Sequence, residues 1–189
     1  MDFNLTTEQD ALSDSVRRFV ERDYGFDKRR LIIDSAEGTS ADIWSAMADL
    51  GWLGAGLAEE AGGFGGGAIE NTLIAEGLGR GLVVEPFVAN AVLVLQTLMA
   101  LGDFDGRADL VEAVIAGGCK VVLAHGEADA RGNPRIVTTT ATRDGDSWRI
   151  NGAKSMVLGA PSANQLLVSA RTGEGDESIS LFRVEPDAP

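Results

Sequence analysis

The chain has 189 residues, of which 44% are hydrophobic and 24% are charged, and this composition is ordinary for a globular protein of one or two domains. Its net charge of -13 argues against a general nucleic-acid binder, which would present a basic face to phosphates. One cysteine and one histidine exclude an internal disulfide and disfavour a His/Cys metal site. We find no signal-peptide pattern and no apolar run of about 20 residues, so we expect no membrane span and a cytoplasmic location.

The first half of the chain has the apolar spacing of amphipathic helices. Thr6 and Gln9 form a capping box that predicts the start of a first helix. Its apolar face is predicted to consist of Leu12, Val16, Phe19 and Val20. A second helix is predicted to begin at Thr39 or Ser40 and to stop at Gly51, with Ile43, Met47 and Leu50 on its apolar face.

Three more helices are predicted before residue 118. The third covers about 68–78 and uses Ile69 and Leu73. The fourth has Pro86 in its first turn, where the missing N–H costs nothing, and ends at Gly102. Its predicted apolar stripe is Val88, Val92, Leu95 and Met99. The fifth covers about 107–116 and stops at Gly117-Gly118.

The second half of the chain has the pattern of β-strands. Strands are predicted over 120–124, 136–143, 147–150, 153–158, 165–171 and 178–184. Asp144-Gly145 and Asn151-Gly152 each predict a tight hairpin, and 172–177 predicts a loop with the solvated pair Asp176-Glu177. Helices first and strands second indicate an α+β fold with a helical domain over 1–118 and a β-domain over 119–189.

A glycine cluster at Gly62-Gly63-Phe64-Gly65-Gly66-Gly67 suggests a phosphate loop at first sight. A P-loop needs a strand before the first glycine and Lys-Ser/Thr after the last, and neither is present. We interpret the cluster as a turn between helices.

Several segments occur in an order typical of one family. They are Leu50-Gly51-Trp52-Leu53-Gly54 with the following Gly62-Gly63, then Gly79-Arg80-Gly81, the Trp148-Arg149-Ile150-Asn151-Gly152-Ala153-Lys154 segment, and Ala170-Arg171. In this order the chain resembles the acyl-CoA dehydrogenase family over nearly its whole length. The resemblance implies an N-terminal helical domain followed by a β-barrel-like middle domain. The chain stops at Pro189, inside the family's middle domain, so we expect the C-terminal helical domain and its catalytic Glu to be absent, and we assign no catalytic residue.

The resemblance implies FAD as cofactor and an acyl-CoA thioester as substrate, in fatty acid or lipid metabolism. The flavin would lie against strands at 122–127 and 154–158. The implied cofactor-binding residues are Leu123, His125, Gly126, Gly132, Met156, Val157 and Leu158. The family pattern differs at Gly126 and Leu158, where Thr is usual, at Met156, where Trp is usual, and at Gly132, where a phosphate-contacting Ser is usual. His125 has two interpretations: a hydrogen bond to flavin or substrate, or a structural bond to a backbone carbonyl.

Three functions follow from the resemblance. The first is an FAD-dependent acyl-CoA dehydrogenase that oxidises the α–β bond. The second is a non-catalytic subunit of a heteromeric dehydrogenase, favoured by the altered flavin positions. The third is a flavin-dependent monooxygenase on the same fold. Family members imply a homo-oligomer or a hetero-oligomer with a related subunit, and an electron-transfer flavoprotein as a possible acceptor.

Overall fold

A computed structural model describes residues 4–175 and 178–188 of the chain. The chain divides between Cys119 and Lys120 into two compact units, each described by itself below. The first unit is helical and the second contains a sheet, which confirms the predicted α+β class. The predicted solvated pair Asp176-Glu177 and the terminal Pro189 lie outside the described residues.

The first unit is built from α-helices and one π-helical segment. They are α1 (Thr7–Asp23), α2 (Phe26–Ile33), α3 (Ala41–Asp49), α4 (Ala68–Arg80), the π-helical segment (Val88–Val94), α5 (Leu95–Ala100) and α6 (Arg107–Ile115). Short 3₁₀ turns at Trp52–Gly54 and Glu59–Ala61 connect α3 to α4. Across the described residues, no helix is long and apolar enough to span a membrane.

The predicted helix starts and stops are confirmed at α1 and α3. The Thr6 hydroxyl accepts from Gln9 N at 3.2 Å, and Gln9 Oε1 accepts from Thr6 N at 3.0 Å. The Ser40 hydroxyl accepts from Ile43 N at 3.3 Å and caps α3. Gly51 follows α3 with φ of 75°, a left-handed conformation that glycine adopts without strain.

The helices pack around a core that the predicted face of α1 enters. Val16 and Phe19 are buried, and Leu12 and Val20 pack against the same core. Phe19 meets the buried Trp52 edge-to-face at 5.1 Å between ring centroids. Burial of these side chains, rather than helix propensity, holds the unit together.

The predictions missed α2 because its apolar residues do not form one face. Ile32 is its only buried residue, whereas Phe26 and Leu31 are 69% and 74% exposed. The sequence therefore lacks the periodicity that marks an amphipathic helix.

The predicted apolar faces of the third and fourth helices were wrong in part. In α4 the buried residues are Asn71, Ile74 and Leu78, while Ile69 is 54% exposed. The π-helical segment buries Ala89, Asn90, Ala91 and Val94 and exposes Val88. A π-helix has more residues per turn than an α-helix, so the predicted α-helical stripe fails at Val88, whereas Val92 packs against the core and Leu95 is fully buried, as predicted.

The second unit is a sheet centred on β4 (Gln165–Arg171). β1 (Val121–Ala124) pairs parallel with β4 from Val121↔Gln165, and β5 (Ile179–Val184) pairs antiparallel with it. β2 (Thr140–Asp144) reaches β4 by a single parallel bridge at Thr140↔Arg171 and forms a hairpin with β3 (Ser147–Asn151). Since β5 pairs with β4 as far as Arg171, β1 and β2 share the other edge of β4.

One predicted hairpin is confirmed and the other was wrong. The turn at Asp144-Gly145 joins β2 to β3. Asn151 instead stays in β3, and residues 153–158 are not a strand. Gly152 has φ of 157°, and a Cβ there would lie 2.5 Å from Thr139 Oγ1. This glycine therefore serves close packing against Thr139 rather than a tight turn.

Candidate functional site

A buried ion pair in the sheet unit joins the segment that follows β1 to the segment that follows β3. Lys154 Nζ donates to Glu127 Oε1 at 2.7 Å, and the two side chains are only 9% and 4% exposed. Glu127 follows β1, and Lys154 belongs to the segment that follows β3. The pair thus connects two segments that both leave the sheet.

The Glu127 carboxylate is fully surrounded by donors. Its Oε1 accepts from Thr139 N at 3.0 Å and Thr139 Oγ1 at 2.7 Å, and its Oε2 accepts from Thr138 N and Thr138 Oγ1. Burial alone would raise the pKa of Glu127, but the hydrogen bonds from Lys154, Thr138 and Thr139 outweigh it and hold the pKa well below 4.5. The carboxylate is ionised at neutral pH and has no capacity left for a general base.

His125, a predicted flavin ligand, belongs to the same hydrogen-bond network. Its Nε2 lies 2.8 Å from the Pro134 carbonyl oxygen, which can only accept, so this nitrogen carries the proton. Its Nδ1 lies 2.9 Å from Ser169 Oγ, and Lys154 Nζ donates to that same hydroxyl at 3.0 Å. Both ring nitrogens are therefore engaged within the unit, which favours the structural interpretation of His125 over a bond to flavin or substrate.

Beside this network, two predicted contact segments are brought together. Ser155 N donates to Gly126 O at 2.8 Å, and Lys154 Nζ donates to His125 O at 3.3 Å. A Cβ at Gly126 would lie 2.9 Å from Ser155 O, so the close approach requires glycine. The segment that follows β1 and residues 155–158 therefore form one surface.

That surface is apolar and exposed. Met156 is 92% exposed with φ of 55°, and Leu158 is 58% exposed, while Val157 is half-buried. Among the described residues, no acceptor meets the backbone N–H of residues 156, 157 or 158. We call Gly126 and residues 155–158 the exposed edge. It offers an apolar contact with hydrogen-bond donors beside it.

The two remaining predicted cofactor residues lie elsewhere in the unit. Leu123 is half-buried in β1, and Gly132 is exposed in the loop after β1 with φ of 82°. No hydrogen bond in the described part of the chain ties either residue to the exposed edge. Their assignment to a cofactor stays a prediction.

Sequence reasoning missed Thr138, Thr139 and Ser169, which hold the ion pair in place. Thr138 and Thr139 lie within the strand predicted over 136–143, but the observed strand β2 begins only at Thr140. No spacing rule links them to Glu127, because the contact depends on the loop that brings residue 138 back to residue 127. Within the described ranges, no cluster of His, Cys, Asp and Glu side chains is placed to hold a metal ion.

Comparison with protein families identifies the class to which these two units belong. Residues 6–118 match the acyl-CoA dehydrogenase N-terminal domain, and residues 123–189 match the acyl-CoA dehydrogenase middle domain. The chain therefore belongs to the acyl-CoA dehydrogenase family, as the ordered motifs predicted.

Relatives of known sequence and structure support this assignment. The chain is 32% identical to acyl-CoA dehydrogenase FadE12 of Mycobacterium tuberculosis over 99% of its own length and 49% of that relative. It is 31% identical to benzylmalonyl-CoA dehydrogenase of Aromatoleum aromaticum, over 100% of its length and 50% of that relative. Its fold matches the Tcur3481-Tcur3483 steroid ACAD with a TM-score of 0.83 and 26% identity, over 100% of this chain and 50% of that one. The chain thus spans about half the length of the curated relatives it matches.

Proposed function

We propose that the chain is the flavin-supporting half of an FAD-dependent acyl-CoA dehydrogenase that oxidises the α–β bond of an acyl-CoA thioester. The observation that carries this proposal is the exposed edge. Such a surface suits the edge and face of a flavin ring, since apolar side chains contact the face and backbone N–H groups donate to ring oxygens and nitrogens.

The residues of the chain would hold the cofactor mainly through the backbone. Residues 156–158 present N–H groups, Gly126 leaves room for close approach, and Met156 and Leu158 contribute apolar area. The Glu127–Lys154 pair would position this edge, because Lys154 also donates to His125 O and precedes Ser155, whose N–H donates to Gly126 O. FAD, when bound, supplies the acceptor for the hydride that leaves the substrate's β-carbon.

The chain's own residues offer support rather than proton chemistry. Glu127 is saturated by five donors, and His125 is bonded at both ring nitrogens. We therefore assign no catalytic base within the described ranges. We also propose that the chain forms a homo-oligomer or a hetero-oligomer with a related subunit. Its proposed electron acceptor is an electron-transfer flavoprotein. A cytoplasmic location belongs to it as well.

One observation favours a second function, that of a non-catalytic subunit in a heteromeric dehydrogenase. Leu158 offers no side-chain hydrogen bond where the family usually has a hydroxyl, so the edge binds flavin more weakly by about 0.5–1.5 kcal/mol for each lost bond. The two-component name of the steroid ACAD relative is in keeping with this alternative.

A flavin titration tests the proposal. Added FAD is expected to lose fluorescence and gain a structured visible band on binding to the purified chain. Leu158→Asp is expected to weaken that binding at least tenfold, because a carboxylate would meet an apolar ring. Leu31→Asp is the matched control, since Leu31 is also an exposed leucine but lies in α2. Binding that is absent in the parent chain, or equal in both variants, would reject the assigned flavin edge.

A further inference from the structure

A groove in the helical unit lies between α4 and the π-helical segment with α5. Its volume is about 890 Å³, within the usual range for a site that binds a small organic ligand. Small apolar side chains, among them Ala75, Val88 and Val92, line much of it and leave the space open. The groove is therefore wide enough for an aliphatic chain.

One polar side chain in this groove is almost completely buried. Asn71 is 9% exposed, and its amide lies directly over Gly56, where a Cβ would be 2.0 Å from Nδ2 and 2.4 Å from Oδ1. Its backbone N–H donates to Gly67 O at 3.2 Å. In the portion of the chain that the structure describes, no protein group bonds its side-chain amide. An amide that lines a groove in this way has one donor group and one acceptor to offer to a ligand.

The neighbouring polar groups do not form hydrogen bonds with the Asn71 amide. The Thr72 hydroxyl donates to Ala68 O at 2.7 Å within its own helix, and Gln96 Nε2 lies at the rim, 3.5 Å from Gly56 O. Glu76 lines the groove but is paired with Arg80 at 2.6 Å. A charged ligand group is therefore not called for, and a neutral oxygen fits best.

We propose that this groove binds an aliphatic chain that carries a hydroxyl group, with Asn71 as the specificity-determining residue. A hydroxyl is complementary because it donates to Oδ1 and accepts from Nδ2 of the same amide. The inference rests on the proposed function, since the acyl group of a thioester is the aliphatic chain that the protein would handle. The substrate class that follows is a hydroxylated acyl-CoA.

The test uses two small probes of equal length, 1-hexanol and 1-chlorohexane, titrated into the ¹⁵N-labelled chain. In the parent chain, the Asn71 side-chain amide resonances are expected to shift with 1-hexanol and to move much less with 1-chlorohexane. The preference for the hydroxyl is measured as the dissociation constant of 1-chlorohexane divided by that of 1-hexanol. This ratio is expected to fall about fivefold in Asn71→Leu, because the neutral hydrogen bonds to the hydroxyl are lost. Thr72→Val is the matched control and is expected to leave the ratio unchanged.

A second variant keeps the test decisive if Asn71→Leu fails to fold. Gly56→Ala retains the amide but places a methyl group where it lies, so it is expected to lower the same ratio. Equal ratios in the parent chain and both variants, or unmoved Asn71 resonances, would overturn the proposal and leave the groove with water alone. FAD binding is measured on the same samples. Loss of FAD binding with an intact alcohol preference would reject the proposed function and still support the hydroxyl-binding groove.

Discussion

At the scale of single residues, the sheet unit depends on a charge pair that is removed from water. Lys154 has three acceptors within reach, Glu127 Oε1, Ser169 Oγ and His125 O, which match the three protons of its ammonium group. A buried pair of this kind contributes little relative to an apolar pair, yet loss of one partner leaves an uncompensated charge. The pair is therefore better understood as a device that fixes position than as a source of net stability.

The first prediction concerns that asymmetry. Lys154→Met is expected to reduce the free energy of unfolding by about 3–5 kcal/mol, since it strands the Glu127 carboxylate among neutral groups. The double variant Glu127→Gln/Lys154→Met is expected to recover a large part of that loss because no charge remains. Urea denaturation measures both. Equal losses in the single and double variants would show that shape, not charge, dominates this site.

Glu127 is expected to make the stability of the chain fall in acid. The folded-state pKa of Glu127 lies below its unfolded value of 4.5, so its contribution to stability is complete above pH 4.5 and is lost as the pH falls toward the folded pKa. The parent chain is therefore expected to lose stability more steeply below pH 4.5 than Glu127→Gln/Lys154→Met, which lacks the titrating carboxylate. Denaturation midpoints between pH 6 and pH 3 provide the measurement. Parallel curves for the two proteins would remove Glu127 from the acid response.

At the scale of elements, helix ends could be predicted from residues close in sequence. The turn after β3 and the orientation of site residues depend on contacts between residues distant in sequence. Thr6, Ser40 and Gly51 act on bonds within three residues, so the sequence alone indicated their roles. The Asn151-Gly152 turn failed as a prediction because Thr139, which occupies the space beside Gly152, is distant in sequence. Family resemblance placed flavin contacts at Gly126 and residues 156–158, and these contacts stay a prediction. The exposure of these residues and the inward orientation of His125, which depends on Pro134 and Ser169, needed the structure.

Two glycines in α4 give a matched test of helix packing. A Cβ at Gly77 would lie 2.4 Å from Val16 Cγ1 in the core, whereas a Cβ at Gly79 meets nothing within 4 Å. Gly79→Ala is expected to stabilise the chain by up to about 1 kcal/mol through helix propensity. Gly77→Ala gains the same propensity but overpacks against Val16, at a cost of about 1–3 kcal/mol, so a net loss is expected. Thermal unfolding of the two variants measures both changes in stability. If Gly77→Ala is stabilising, α1 can shift at Val16 to make room for the added methyl group.

At the scale of the whole molecule, the net charge of -13 opposes the compact state through self-repulsion. Salt screens this repulsion, but it also weakens the exposed ion pairs such as Arg17–Asp14 and Arg149–Asp144. Exposed pairs contribute only about 0–1 kcal/mol each, so relief of the general repulsion is expected to prevail. An increase in NaCl from about 10 mM to about 500 mM, which shortens the screening length from about 30 Å to less than 8 Å, should raise Tm at pH 7 by a few degrees.

The comparison that isolates this effect is the same salt series at pH 4.4, the isoelectric point that the composition gives. There the net charge vanishes, so NaCl is expected to leave Tm unchanged or to lower it slightly through the exposed pairs. A rise of equal size at both pH values would identify the effect as a general salting-out of apolar surface rather than relief of repulsion. The buried Glu127–Lys154 pair is screened little by salt, so Lys154→Met should show the same salt dependence at pH 7 as the parent chain.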